Sequence, residues 1–421
     1  MSGFHAGGAR VSVAVCVLSI ALIANTAAAE SSPIDPVIRL GKQLDAGETT
    51  LEFSPGKWGY LPSLLQHLEV NIDSQVLVFS KTSFQADKIG PRHPRAIYFN
   101  DNVSVGYVHD GTVLELAVLD PAQRITFYTL DVHKSDHPRF ERRERECTSC
   151  HGSGDQSHLV VDSTIPEADG TAFVVLGNVQ PTPTDHRTPF DKRWGGWYVT
   201  GTHGSQKHMG NAVAPDIFHP FDLETKGTQN RTSLEDKFDT KDYPAATSDI
   251  VALMTLEHQT RMASLISTTS RLFRADEEIG GGGLSGRNRQ ALSNALDEMV
   301  KYMLFEDEIV LPEPVRGVSE FTRTFAERGP RDKQGRSLRD FDLRTRMFRY
   351  PLSFMIYSEF FDAMPQAAKD GVYRRLYDVL TGGSAKGDRL SGDERRAILE
   401  ILRDTKPGLP EYWSKPPVAG I

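Results

Sequence analysis

The sequence predicts an α+β protein in which a β-rich domain with an antiparallel meander precedes a helical domain. Between residues 96 and 130, apolar and polar residues alternate at the two-residue period of a strand. From Asp249 onward, apolar residues recur instead at the 3.6-residue period of an α-helix. Because this change divides the chain into strands and then helices, we expect a β-rich domain over 30–241 and a helical domain over 242–421.

Residues 1–29 have the features of a secretory signal peptide. Arg10 precedes the apolar run 11–24, and Ala27-Ala28-Ala29 offers a cleavage site before Glu30. The mature chain would then have 421 − 29 = 392 residues, enough for roughly two or three domains, and would be periplasmic or secreted. No later run is apolar for long enough to be a transmembrane helix, so we expect none in the mature chain.

The net charge argues against one class of partner. The formal charge is −8, and loss of Arg10 with the signal peptide makes it −9. Nucleic-acid-binding proteins normally carry a basic surface, so we expect no nucleic acid as a partner.

The strands of the predicted meander are bounded by turn residues. Asp110-Gly111 and Asp120-Pro121 separate segments that are rich in β-branched and aromatic residues. The predicted strands are 70–80, 96–99, 103–108, 112–119 and 124–130.

The rest of the chain is predicted to be mostly helical. The charged stretch 140–146 is compatible with a short helix that leads to Cys147. A run of four glycines, 280–283, predicts a flexible linker. Around this linker, the helical segments are 249–273, 292–303, 347–364, 372–380 and 391–402.

Residues 147–151 read Cys-Thr-Ser-Cys-His, the attachment sequence for a c-type haem. Cys147 and Cys150 can each form a thioether with one vinyl group of the porphyrin, and His151 can then ligate the iron. A zinc site would need four ligands, and the mature chain has no second cysteine pair. A thioredoxin-type dithiol would open a helix, whereas the loop-forming residues 152–155 follow here. We therefore predict one covalent haem c, held by Cys147, Cys150 and His151.

The second axial ligand of the iron is less well defined. Met209 lies 209 − 151 = 58 positions after His151, in the stretch 190–211, which is rich in glycine, tryptophan and histidine. A thioether at this position would raise the reduction potential, so Met209 is our prediction. The alternatives are His208, His258 and an open position.

Glu257, His258 and Arg261 interrupt the apolar face of the helix after Asp249. Polar groups on a buried face need partners. We favour a buried Glu257–Arg261 pair beside a hydrogen-bonded His258. The alternative is a distal wall, with His258 facing the iron and Arg261 near a haem propionate or bound anion.

The motif and its surroundings resemble a group of large secreted proteins with a monohaem cytochrome c domain. The resemblance rests on Arg139-Phe140, the Cys147–His151 motif, Trp194-Gly195-Gly196-Trp197 and His208-Met209-Gly210-Asn211. It implies a covalent haem and implies no substrate.

These features predict electron transfer through the haem, with a redox protein as the partner. One alternative is a haem-dependent oxidoreductase or peroxidase-like enzyme with an open or displaceable sixth iron position. Another is a haem domain fused to a helical scaffold that docks a partner. A simple haem carrier needs only a small domain, so most of this chain has some further role.

Overall fold

The computed structural model describes residues 1, 3 and 35–414, apart from 57, 122–123, 144–146, 148–150, 153–157, 174–180, 217, 220–221, 224, 279–285 and 383–389. The chain divides into two units, Met1–Ser32 and Pro33–Ile421, and every element named below belongs to the second. Almost all of the signal peptide, Cys150 and the glycine linker at 280–283 lie outside the described residues.

A seven-stranded antiparallel sheet in the N-terminal half and helices later in the chain confirm the α+β class. The sheet has the strand order β6-β5-β4-β3-β2-β1-β9, and β7 pairs with β8 in a separate ribbon. The strands are Val76–Val78 (β1), Arg95–Phe99 (β2), Val103–Val108 (β3), Val113–Asp120 (β4), Arg124–Asp131 (β5), Phe140–Arg143 (β6), Val161–Ser163 (β7), Thr182–Thr184 (β8) and Trp197–Tyr198 (β9).

The predicted meander is β2 to β5, whose ends differ from the predicted ones by at most one residue. Each strand pairs with the next in sequence. In the turn between β3 and β4, Asp110 has φ 54°, and the Gly111 N–H donates to the Val108 carbonyl at 3.0 Å. Asp tolerates this left-handed conformation better than most residues do, so the turn signal was informative.

The prediction of a helix over 140–146 is wrong for the part that the structure describes. Phe140–Arg143 is β6, with Phe140 opposite Leu130 and Arg143 opposite Phe127. The free edge of β5 offers unpaired backbone N–H and C=O groups, and pairing with them outweighs the weak local preference for a helix.

Four of the five predicted helical segments are helices. The described helices are Pro36–Asp45 (α1), Leu61–His67 (α2), Ile250–Glu278 (α3), Gly286–Met303 (α4), Phe321–Glu327 (α5), Glu359–Asp362 (α6), Gln366–Leu380 (α7) and Gly392–Thr405 (α8). The segment 347–364 is mostly not helical, since it holds only a 3₁₀ turn, Phe354–Tyr357, and α6. Pro351 cannot donate a helical hydrogen bond, and the Ser353 N–H is bound instead by the carbonyl of Met303.

The two faces of the sheet pack against different helices. Leu114, Leu116 and Val118 of β4 belong to the apolar core that includes residues of α1 and α2. Glu115 and Ala117 alternate with them and therefore face the other side, towards α3. No described helix combines the length and the apolar character that crossing a membrane requires.

The second face of the sheet shares one apolar core with the later helices. Phe99 and Phe127 of the sheet belong to the same buried cluster as Leu253 and Met262 of α3. The division into domains at 241/242 stays a prediction.

Asp249 fixes the start of α3. This fully buried carboxylate accepts the N–H groups of Val251 and Ala252 through Oδ1, at 2.8 and 3.3 Å. Its Oδ2 accepts the N–H groups of Val318 and Ser319, each at 2.8 Å. One side chain thus caps the helix and anchors a distant loop.

We expect Asp249→Ala to lower the free energy of unfolding by about 2–4 kcal/mol, because it removes a helix cap and leaves buried donors without acceptors. Urea unfolding measures this change. The matched control is Asp239→Ala, since Asp239 is an exposed cap that accepts one N–H, from Lys241. A loss no larger than that of the control would contradict the role given to Asp249.

Candidate cofactor site

A cavity lies on the face of the meander that is turned towards α3. Its empty volume is about 870 Å³, which includes space open to solvent. Leu256 and Thr260 of α3 and Trp197 of β9 contribute to its walls. Alternate residues of the sheet form its floor, among them Ile97, Ser104, Gly106, Ala117 and Phe127.

Small residues in the central strands create this depression. Ser104 and Gly106 of β3 and Ala117 of β4 present little side-chain volume to the cavity. A Cβ on Gly106 would lie only 3.2 Å from Arg95 Nε and 3.3 Å from Glu115 Cβ. The side chains of Arg95 and Glu115 therefore lie close to Gly106 at the floor of the cavity.

Cys147 and His151 both line this cavity. Both residues have helical backbone conformation. The structure therefore brings together the first cysteine and the histidine of the motif. Cys150 lies outside the described residues.

The imidazole of His151 is held in one orientation. Its ring stacks on Phe127, with centroids 5.0 Å apart and an interplanar angle of 29°. Its Nδ1 lies 3.1 Å from the carbonyl oxygen of His158, and the N–H of His158 donates to the carbonyl of His151 at 2.7 Å. Because a carbonyl can only accept, this contact assigns the proton to Nδ1 and leaves the lone pair on Nε2.

The surroundings of His151 also keep it neutral. Burial, reinforced by the charge of Arg95, lowers the pKa of His151 to about 4. The carbonyl of His158 acts in the opposite direction and is outweighed. Near neutral pH, Nε2 therefore carries a free lone pair and no proton, which is the form in which a histidine ligates a metal.

An ion pair that was not recognised from the sequence lies in the same cavity. Arg95 Nη1 is 3.4 Å from Glu115 Oε2, and both side chains are largely buried. Glu115 also accepts hydrogen bonds from Ser83 Oγ at 2.6 Å and Gln85 Nε2 at 2.7 Å. The buried Nε of Arg95 has no hydrogen-bond partner among the described residues. The alternation of residues along the strands could have identified this pair, because it places Arg95 and Glu115 on the inward face of the sheet.

Met209, the predicted sixth ligand, is not among the residues that line the cavity with His151. Its side chain is half-buried, and its Sδ accepts a hydrogen bond from Ser163 Oγ at 3.6 Å. Its N–H donates to the carbonyl of Arg193 at 3.0 Å. Met209 as an iron ligand stays a prediction.

The two histidine alternatives also lie outside the lining of that cavity. His208 is buried beside Trp194 and His203, and burial lowers its pKa to about 3. His258 is fully buried among the later helices, with its Nδ1 3.0 Å from His186 Nδ1 and its Nε2 2.8 Å from Ser353 Oγ. The hydrogen-bonded interpretation of His258 agrees with these contacts.

The partner predicted for Glu257 is wrong. Glu257 is fully buried and pairs with Arg193, Nη1 to Oε2 at 3.2 Å, while Thr184 Oγ1 donates to its other oxygen at 2.6 Å. Arg261 instead lies at the surface, 3.8 Å from Glu298. The helical period places Arg261 one turn after Glu257, but Arg193 reaches the buried side from a loop 64 positions away in sequence.

A second, more polar cavity adjoins the first. It shares Leu159, Val160 and Thr260 with the first cavity and is lined also by Arg187, Arg261, Arg271 and Asp185. Arg187, Arg261 and Arg271 therefore place positive charge in the cavity that adjoins the first one.

Comparison with known proteins adds no assignment to this geometry. No protein-family model, no curated protein and no solved structure matches the chain.

Proposed function

We propose that the chain is an exported monohaem c-type cytochrome that transfers electrons to and from a redox protein partner. The haem would be held covalently by Cys147 and Cys150 and ligated by His151. The contact between His151 Nδ1 and the carbonyl of His158 carries the proposal. It leaves a free lone pair on Nε2 of a neutral, half-buried imidazole, which lines the cavity together with Cys147.

The residues around the cavity fit a haem. Ile97, Phe127 and Trp197 suit a flat, apolar ring, and the open part of the cavity suits its polar edge. The guanidinium of Arg95, whose Nε has no hydrogen-bond partner among the described residues, could pair with a haem carboxylate. We therefore assign Phe127 and Trp197 to contact with the haem ring, and Arg95 to a haem carboxylate.

A bound haem supplies one-electron chemistry, and the chain tunes it. Phe127 stacks on His151 and the His158 carbonyl holds its ring, so the ligand stays in place when the iron charge changes. Burial of the haem ring against the sheet would favour the less charged ferrous state. A thioether from Met209 would act in the same direction.

The second axial ligand is tested by replacing Met209. We expect Met209→Leu to abolish the weak far-red sulfur-to-iron absorption band. It should also lower the reduction potential by about 80 mV or more, a tenth of the range over which axial ligands vary the potential of haem. His258→Leu should leave that band in place. The measurements are absorption spectroscopy and potentiometry on the haem-loaded protein.

Met303→Leu is the matched control, because it makes the same change at a methionine of α4 that is fully buried. The reverse pattern, with Met209→Leu silent and His258→Leu disrupting the low-spin spectrum, would reject Met209 and favour two histidine ligands. If neither substitution changes the spectrum and the wild-type iron is high-spin, simple electron transfer is rejected.

One observation favours a haem-dependent oxidoreductase as the second candidate. The Arg95–Glu115 pair places an acid–base group and a cation inside the cavity that His151 lines. Such groups can accept a proton and stabilise developing negative charge on a bound oxidant. A high-spin spectrum that changes quickly on addition of cyanide, together with peroxide turnover that Glu115→Gln reduces, would support this candidate.

A further inference from the structure

Two histidines and an aspartate meet at the end of the sheet, away from the Cys147–His151 motif in sequence. His93 precedes β2, His109 follows β3, and Asp242 precedes α3. One potential ligand atom from each of the three lies within 4.8 Å of the other two. We propose that these three residues bind a divalent transition-metal ion, with Zn²⁺ the best suited.

The two imidazoles are arranged side by side. The rings of His93 and His109 are nearly parallel, with an interplanar angle of 9° and centroids 5.5 Å apart. The Nε2 of His109 lies 3.7 Å from Asp242 Oδ2 and 3.6 Å from Asp110 Oδ2. Two carboxylates thus put negative charge beside Nε2 of His109, which favours a cation.

Neighbouring contacts hold the ligands in position. The N–H of His93 donates to the Gly90 carbonyl at 3.0 Å, closing the turn that presents the ring. Tyr243, next to Asp242, donates through its hydroxyl to the carbonyl of Pro94 at 2.7 Å. This hydrogen bond ties the segment that carries Asp242 to the segment that carries His93, although they are far apart in sequence.

The donor set favours zinc and its neighbours over magnesium or calcium. Imidazole nitrogen suits Zn²⁺, Cu²⁺ and Ni²⁺, whereas magnesium and calcium prefer all-oxygen sites. Two histidines and one carboxylate leave a fourth position for water, as in zinc sites with three protein ligands. Tetrahedral ligands at 2.0–2.1 Å from zinc would lie roughly 3.4 Å apart, so the cluster must contract. The exposed ring of His93 is free to make this adjustment.

The test is a titration of the haem-loaded, tag-free protein with Zn²⁺, monitored by isothermal calorimetry. We expect saturable binding of one ion per chain. His109→Gln and Asp242→Asn should each weaken Zn²⁺ binding at least about tenfold. Loss of a ligand should reduce the affinity at least as much as loss of a residue that only hydrogen-bonds to a ligand. His93→Gln should do the same, and because His93 is exposed, this substitution should leave the fold intact.

The matched control is His133→Gln, because His133 is an exposed histidine beside Asp131, with Nδ1 2.7 Å from Oδ1. It should bind Zn²⁺ as the wild type does. The titration is repeated on Cys147→Ser/Cys150→Ser, which should also keep its affinity, so the outcome does not depend on the haem. The proposal is overturned if no ion binds at one per chain, if the three ligand substitutions leave the affinity unchanged, or if the cysteine variant loses it.

Discussion

We expect haem to stay with the precipitated polypeptide when the protein, produced with a cytochrome c maturation system, is extracted with acidified acetone. Thioether bonds survive this treatment, whereas a haem held only through its iron is released into the solvent. The measurement is the haem content of the pellet and of the supernatant, and the expectation is that nearly all haem remains in the pellet. Complete extraction of haem from the intact protein would reject the proposed attachment.

In the proposed attachment, each cysteine contributes one of the two thioether bonds. We expect Cys147→Ala or Cys150→Ala to reduce the yield of haem-loaded protein strongly, and the double substitution to leave no haem in the pellet. His151→Ala would remove the proposed axial ligand but neither proposed thioether, so any haem that it retains should stay covalent and change its spin state. The matched control is His158→Ala, because this substitution keeps the backbone carbonyl that contacts His151 Nδ1 and removes only a ring that lies edge to face with His151, centroids 6.4 Å apart. Its haem content should equal that of the wild type.

The parts of the fold that the sequence predicted are those that local pattern determines. β2 to β5 could be located because alternation, Asp110-Gly111 and Asp120-Pro121 act over a few residues. The strand β6 could not, because it forms by pairing with an edge that exists only after the sheet has folded. The segment 347–364 was mistaken for a helix because burial on all sides gives an apolar run without a decisive period.

The candidate site divides in the same way. The Cys147–His151 motif is local and was recognised from spacing alone. The position of His151 against Phe127 and the His158 carbonyl, and the Arg95–Glu115 pair, required the sheet to be assembled. Spacing along the chain drew attention to Met209, but distance along the chain does not decide which side chains line a cavity.

The buried ion pair between Arg193 and Glu257 illustrates this limit and leads to the prediction with the largest effect on stability. The side chain of Arg193 is 3% exposed and that of Glu257 is 0% exposed. Arg193 also donates to the carbonyls of Thr188 and His186, at 2.6 and 3.0 Å. Burial raises the pKa of Glu257, and the charge of Arg193 opposes that shift. The two side chains therefore depend on each other for compensation of their charge.

We expect Glu257→Gln to lower the free energy of unfolding by about 3–5 kcal/mol, because it leaves a buried guanidinium without its counter-charge. The matched control is Glu298→Gln, which breaks the pair of Arg187 and Glu298, 3.0 Å apart with side chains 29% and 44% exposed. Since exposed pairs contribute little, this change should cost less than about 1 kcal/mol. Urea unfolding measures both, and the double substitution Arg193→Met/Glu257→Gln should cost less than the sum of its two single changes. If the two single changes simply add, or if Glu257→Gln costs no more than Glu298→Gln, the pair does not stabilise the buried junction between α3 and the loop that carries Arg193.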